Sequence, residues 1–330
     1  MSPETELLFG LPRGSVLGPL LFSMYTCQLA RVIQKFMVKY HFFADDSQLY
    51  SCLPNDAPAA LQALQNVESC CLAVKKWMQE NKLKQNDGKT EVLVCGTKQR
   101  REKLPFKSVK VGDAVIPLSE EVVTLGVRLD AELSMKKQVS AIVQGCQYHI
   151  RRIGRIRNCL TFDAAKTAAV TLVGSKLDYC NSLLQGISKD QIKRLQVAQN
   201  TAARVVTRTK KRDHISPVLK NLHWLPVEQR IQHKVLSFAF QSVHNIGPEY
   251  LNEIISWYAP TRVLRSGSQM LLAIPSKKDA QKKTYGERSF SFTGPSLWEP
   301  IPLLLKHSTS KESFKAKCKT YLFASVAEEE

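Results

Sequence analysis

Apolar residues change their spacing near residue 135, and that change sets the architecture the chain can adopt. Upstream, short extended stretches are broken by turns. Segments 38–43 and 47–52 flank Ala44-Asp45-Asp46, and 91–95 follows the strong turn Asn86-Asp87-Gly88. Segments 109–111 and 114–116 meet across Gly112-Asp113, and 122–127 reads as one more strand. Downstream, segments 135–158, 163–185 and 188–208 repeat apolar residues at three- and four-residue steps, the period of a helix packed on one side. The prediction is an α+β chain: an antiparallel sheet with helices first, then a mostly helical part.

Local signals place the helices more closely. Ser15 is positioned to cap a helix reaching about Phe36, with Leu17, Leu20, Leu21, Met24, Leu29 and Ile33 on its apolar side. Pro19 falls in its first turn, where amide hydrogens lack intrahelical acceptors. Asn55 or Asp56 caps an amphipathic helix carrying Leu61, Leu64, Val67, Cys71, Val74, Trp77 and Met78 on one face. Ser188 with Gln191 has the spacing of a capping box, and Pro226 opens a helix to about His244. Region 260–300, rich in Gly, Pro and Ser, reads as irregular, with lysines 277, 278, 282 and 283 in a loop, and 313–324 makes a last helix.

The chain of 330 residues is long for one domain, and its 44% hydrophobic content is enough to build cores. Charge narrows the function. There are 47 basic and 29 acidic side chains, net +18. Residues 128–220 hold 18 basic and 6 acidic ones, against 15 and 13 in 1–127 and 14 and 10 in 221–330. Such an excess in the middle third points to a polyanion, of which nucleic acid is the commonest, though a merely soluble basic surface has the same composition. The nine cysteines form no C-x-x-C pair, which excludes the usual zinc modules and suggests reduced thiols in nucleus or cytoplasm. The N-terminus is acidic where a signal peptide would be basic, and no apolar run approaches the ~20 residues of a membrane span, so no membrane partner is expected.

Two local features carry chemistry. The stretch Gly10-Leu11-Pro12-Arg13-Gly14-Ser15-Val16-Leu17-Gly18-Pro19-Leu20-Leu21-Phe22 is a backbone-exposing turn running into a helix N-terminus, which lets main-chain atoms approach a flat or anionic ligand. Phe43-Ala44-Asp45-Asp46 puts adjacent carboxylates in a hairpin turn, where a hard cation such as Mg²⁺ would relieve their repulsion. Alone, this dipeptide reads as an ordinary turn. As an ordered set with Lys89-Thr90-Glu91 and Val123-Thr124-Leu125-Gly126-Val127, these motifs resemble the palm of reverse transcriptases from non-LTR, LINE-type retrotransposons. Leu177-Asp178-Tyr179-Cys180-Asn181-Ser182, Leu222-His223-Trp224-Leu225-Pro226 and Gly294-Pro295-Ser296-Leu297-Trp298 look like the thumb and C-terminal region of the chicken-repeat-type members.

The resemblance implies a partial palm over 1–127, a basic thumb-like domain over 128–220 and a C-terminal helical and irregular region over 221–330. It implies RNA-templated DNA synthesis, a Mg²⁺-dependent attack of a primer 3′-hydroxyl on a dNTP. Asp45 and Asp46 would be the metal-site carboxylates, and Lys89 would stand where the family has a lysine proposed to protonate departing pyrophosphate. By itself Lys89 reads as a solvated strand-edge lysine. Arg13, Gly14 and Ser15 would lie under the template–nucleotide pair, and Leu125-Gly126 in the hairpin that holds the primer end. Lys136, Lys137, Arg151, Arg152, Arg155 and Arg157 would hold the phosphates of template–primer, or form a solvated helix face.

Three departures qualify the expectation. The family's other catalytic aspartate lies on a strand upstream of the glycine-serine turn, whereas the nine residues before Gly10 contain only Glu4 and Glu6. The fingers and the endonuclease have no counterpart, and Arg13 stands where the family commonly has glutamine. A chain of this kind is expected to be inactive alone, to expose a sheet edge and one face of the Ser15 helix, and to depend on the missing N-terminal part as a partner. A non-catalytic nucleic-acid-binding protein, or a decayed reading frame, are the other readings. Arg204, Arg208, Lys210, Lys211 and Arg212 form a second basic cluster, equally readable as an import signal. His214, His223, His233 and His244 fit no compact metal motif, Trp224, Trp257 and Trp298 read as core residues, and Cys70-Cys71 as helix packing.

Overall fold

The computed structural model describes residues 14–259, 269–275 and 285–329. They form two compact units, one of 14–122 with 130–132 and one of 123–129 with 133–329.

In the first unit, helix α1 spans Gly18–Ile33, its cap two residues later than the sequence suggests. The reason is Pro19. A helix begun at Ser15 would need the absent Pro19 N–H for its first internal bond, whereas at the first turn that N–H is not required. Leu17 occupies the cap without a side-chain bond, and Ser15 contributes its carbonyl to the Gly18 N–H at 3.2 Å. Strands β1 (Lys39–Phe43) and β2 (Asp46–Tyr50) make an antiparallel ribbon, with Phe43 opposite Asp46. Helix α2 (Ala57–Glu80) is capped by the Asp56 carboxylate, which accepts from the Ala59 N–H at 3.2 Å.

These elements share one core. Leu29 and Ile33 of α1 pack with Val38 and with Cys70 and Val74 of α2, and Tyr40, Phe42 and Leu49 of the ribbon lie against them. The two-residue spacing of Tyr40 and Phe42 puts both on the same face of β1. Leu17, Leu20, Leu21 and Met24, at the other end of α1, remain exposed, from 40% to 62%. Cys70 and Cys71 are buried, as helix packing requires.

Beyond α2, strand β3 (Val92–Leu93) and helix α3 (Lys98–Glu102) precede β4 (Ser108–Val111) and β5 (Ala114–Ser119). The sheet order is β3-β5-β4, with β3 parallel to β5 and β4 antiparallel to it. Segment 122–127 is not one strand. It splits into β6 (Glu121–Thr124) and β7 (Val127–Asp130), a hairpin reversed at Leu125 and Gly126, whose φ angles are +47° and +76°. Two successive left-handed residues make the turn that matches strand twist. The expected antiparallel sheet is thus three small sheets, and the α+β class stands.

The second unit is helical. Its helices are α4 (Lys136–Ile156), α5 (Phe162–Ala169), α6 (Ser175–Asp178), α7 (Lys189–Thr207), α8 (Ser216–Leu222), α9 (Val227–Val243), α10 (Glu249–Asn252), α11 (Phe290–Trp298), α12 (Leu303–Lys306) and α13 (Lys311–Glu329). A π-helical turn, Val170–Gly174, links α5 to α6. One core joins Val139, Ile142, Cys146 and Ile150 of α4 to Leu195, Ala198, Ala202 and Val206 of α7. A second joins Leu236 and Phe240 of α9, Trp298 of α11 and Phe314, Cys318 and Leu322 of α13, with the Phe240 and Phe314 rings stacked at 4.3 Å.

Several local expectations are corrected. The capping box does not form: the Gln191 backbone N–H donates to the Ser188 carbonyl and not to its hydroxyl, and the Gln191 side-chain amide donates to the Ser134 carbonyl at 3.2 Å. Phe290–Trp298 is a helix despite Pro295, inside the region expected to be irregular. Trp224 and Trp298 are buried, but Trp257 is half exposed. Lysines 277, 278, 282 and 283 lie outside the described residues.

Candidate functional site

The β1–β2 ribbon presents its carboxylates at the tip. Phe43 and Asp46 close a two-residue turn in which Ala44 takes φ +54°, Asp45 sits at the reversal and Asp46 begins β2. Both aspartates are exposed. Mg²⁺ is commonly held by one or two carboxylates together with substrate phosphates, and two ions need more donors than this pair provides. Among the described residues no group of three or more His, Cys, Asp or Glu could hold a metal. The donor set is therefore incomplete for the expected two-ion clamp, and Glu4 and Glu6 lie outside the described residues.

The neighbouring motifs are exposed as well. Arg13 lies outside the described residues. Gly14 has φ +87°, a backbone that favours glycine, and a Cβ there would meet nothing within 4 Å, so its main chain is open to approach. Lys89 ends the short turn Asp87–Lys89 and is exposed, without a hydrogen bond or ion pair to Asp45 or Asp46. What organises that turn is Lys75, which sequence reasoning missed. From α2 its ammonium reaches the carboxylates of Asp87 and Asp113, each at 3.2 Å, and those hydrogen bonds raise its pKa. Gly112, at φ +63°, lies so close that a Cβ would fall 2.3 Å from the Lys75 Cδ.

At the Leu125-Gly126 hairpin turn, the Tyr179 hydroxyl donates to the Leu125 carbonyl at 2.5 Å, and the Tyr179 ring lies 3.8 Å from where a Gly126 Cβ would be. The Leu-Asp-Tyr-Cys motif thus braces the expected primer-holding turn, a contact across 54 residues that no local signal announces.

Helix α4 sorts the candidate phosphate contacts. Lys136, Lys137, Arg151, Arg152 and Arg155 are exposed, opposite the buried Val139, Ile142, Cys146, Ile150 and Ile153. At 1.5 Å per residue the two clusters stand roughly 20–25 Å apart along the helix. Tyr148, one turn before Arg152, is 56% exposed, and the Arg152 guanidinium lies 5.4 Å from its ring centre. Arg157 does not belong to this set. Its Nε donates to the carbonyls of Val205 and Val206 at 3.1 Å, Nη2 to Val206 at 2.7 Å and Nη1 to Leu160 at 2.9 Å. It satisfies the open carbonyls at the end of α7, a structural use of a cation that charge counting cannot distinguish from phosphate binding. In the second cluster Arg204 likewise braces the following loop through the carbonyls of Lys210 and Asp213.

The family model of Reverse transcriptase (RNA-dependent DNA polymerase) matches residues 4–129. Two curated relatives come from Drosophila melanogaster, the probable RNA-directed DNA polymerase from transposon X-element and that from transposon BS. The first is 26% identical over 213 residues, covering 63% of this chain and 22% of the relative. The second is 26% identical over 209 residues, covering 60% and 22%. The matches thus span about a fifth of each relative's length. No solved structure matches the chain significantly. Residues 4–129 are thus similar to the reverse transcriptase family, and about 60% of the chain is distantly similar to parts of transposon RNA-directed DNA polymerases.

Proposed function

We propose that this chain is the template–primer-holding part of a non-LTR retrotransposon RNA-directed DNA polymerase. The observation that carries the reading is the exposed cationic face of α4, with Lys136 and Lys137 at one end and Arg151, Arg152 and Arg155 around Tyr148 at the other. Point cations and guanidinium forks spaced along a rigid helix contact phosphates whatever the sequence, and Tyr148 offers an aromatic face beside them. The Leu125-Gly126 turn would support the primer end, held in place by Tyr179.

The whole family reaction is RNA-templated DNA synthesis from a primer 3′-hydroxyl and a dNTP. For it Asp45 and Asp46 would contribute carboxylates to Mg²⁺, and a further carboxylate would have to face them. In this reading the chain alone binds template–primer without extending it. The free state of all nine cysteines supports a nuclear or cytoplasmic setting.

The test is binding of an RNA–DNA template–primer between about 50 and 200 mM salt, where each lost phosphate contact lowers the log–log slope by roughly one. Arg151→Ala and Arg155→Ala should each lower it, and a slope that neither changes would sink the reading. A primer-extension assay with Mg²⁺ addresses activity. Incorporation that vanishes in Asp45→Ala would show that the chain completes the site unaided.

A further inference from the structure

Two sequence motifs meet at one cavity of the helical unit. The cavity, about 350 Å³, lies among α5, the π turn, α6, α7, α8, α9 and α13. Leu177 comes from the Leu-Asp-Tyr-Cys-Asn-Ser motif, and Leu222, His223 and Trp224 from the Leu-His-Trp-Leu-Pro motif. Its size is that of a small-molecule site near the lower end of the usual range of ~300–1,000 Å³.

The lining has two characters. Val173, Leu177, Leu222 and Trp224, all buried, give an apolar floor with one aromatic wall. Lys166, Arg230 and Lys319 supply three cations, and no carboxylate lines the space. Asp178, just outside, fixes the Arg230 fork, accepting from Nε at 2.9 Å and from Nη2 at 2.5 Å. Burial lowers the Lys319 ammonium pKa, with Arg230 and Lys166 acting in the same direction. The π turn Val170–Gly174 forms part of the wall, and such insertions in helices are frequent at functional sites.

A bare phosphate would leave the apolar floor uncovered, and a neutral apolar ligand would make no use of the cations that line the cavity. A flat aromatic body bearing a phosphate answers both requirements. We infer that this cavity binds a nucleotide, its base against Trp224 and the apolar floor and its phosphate on Lys166, Arg230 and Lys319. The nucleotide is either free or an unpaired residue of an RNA or DNA strand. The inference deepens the template–primer reading and rests on it for the choice of nucleotide among aromatic phosphates.

The experiment uses the full chain with adenosine monophosphate, adenosine, inorganic phosphate and an eight-nucleotide single-stranded RNA. Adenosine monophosphate should bind at least tenfold more tightly than adenosine or phosphate alone. The double variant Lys166→Met, Lys319→Met should weaken it at least tenfold, while salt-sensitive binding of duplex template–primer through α4 is unchanged. Methionine keeps the apolar stem of lysine, and an unaltered melting temperature verifies the fold. Competition between adenosine monophosphate and the oligonucleotide would identify a strand residue as the ligand, and independent binding would identify the free nucleotide. Adenosine monophosphate that binds no better than phosphate, or equally well to the double variant, would overturn the proposal. Loss of duplex binding alone would refute the template–primer reading and leave the pocket standing.

Discussion

Arg157 offers the sharpest separation between a cation that builds the fold and cations that meet a ligand. Its guanidinium makes four hydrogen bonds to three carbonyls, two of them at the C-terminal end of α7. Arg157→Met retains the stem and removes every donor. The Val205 and Val206 carbonyls are then left without this partner beside a core containing the fully buried Val206. A hydrogen bond to a charged group contributes about 1.5–3 kcal/mol, and these four share one guanidinium, so the expected loss is about 2–3 kcal/mol for the whole set. For a unit of this size roughly 2–4 °C corresponds to each kcal/mol, which gives a fall in melting temperature of about 4–12 °C. Arg151→Ala, two turns earlier on the exposed face, should change melting by less than about 0.5 kcal/mol. The assays are thermal melting and the salt dependence of template–primer binding. Arg157→Met should melt early with the salt slope intact, and Arg151→Ala should do the reverse. An Arg157→Met protein that melts normally but loses a unit of slope would show that the guanidinium leaves its carbonyls for phosphate, and the structural assignment would be wrong.

Two other measurements address the first unit and the buried thiols. Gly112→Ala forces a left-handed backbone on alanine, about 1–2 kcal/mol by itself, and its Cβ displaces Lys75 from Asp87 and Asp113. Calorimetry should show early melting of this unit, and Gly112→Ala with normal stability would mean that the turn readily rearranges. Burial pushes the Cys318 thiol up to about 12 and those of Cys70, Cys71 and Cys146 to about 11. The folded chain keeps these thiols protonated where unfolded ones ionise, so their contribution is intact below the ordinary thiol range and declines as pH rises through it towards 11–12. Lys75 acts in the same direction, because its raised pKa makes its contribution complete below the ordinary ammonium range and lost as pH passes the folded value. Melting temperature should be flat from about pH 7 to 8.5 and drop above 9. A flat profile to pH 11 would contradict both burial and clamp.

How much could be read from the sequence depended on how far apart the interacting groups lie along the chain. The Asp56 cap acts on Ala59, three residues away, and the β4–β5 hairpin turns within Gly112-Asp113, so local spacing was enough for both. Periodicity alone hid the β6–β7 hairpin, because apolar residues continue through its turn and nothing in a leucine announces the positive φ that Leu125 adopts; only the family resemblance placed a hairpin there. Gln191 has the spacing of a capping residue but reaches Ser134, 57 residues away. Arg157 looks like its neighbours until α7 brings two carbonyls to it. The same holds for the cavity, where two motifs 45 residues apart in the chain become adjacent only after α7 and α9 have packed.

The Asp45-Asp46 hairpin was the most legible feature, and its packing explains why it can outlast the chemistry it resembles. A two-stranded ribbon has marginal stability alone, so something besides its own hydrogen bonds must hold it. Tyr40, Phe42 and Leu49 do so, packing against the core made by α1 and α2, while the carboxylates stand at the exposed tip. No apolar contact of that core depends on either aspartate or on a cation between them. Asp45→Ala should therefore leave folding intact, or improve it slightly by removing like-charge repulsion at the turn. That independence makes the substitution a clean probe. If the chain is supplied with a segment bearing a facing carboxylate and DNA synthesis appears, its loss in Asp45→Ala can be assigned to the reacting groups, because the ribbon that carries them is held from its other face.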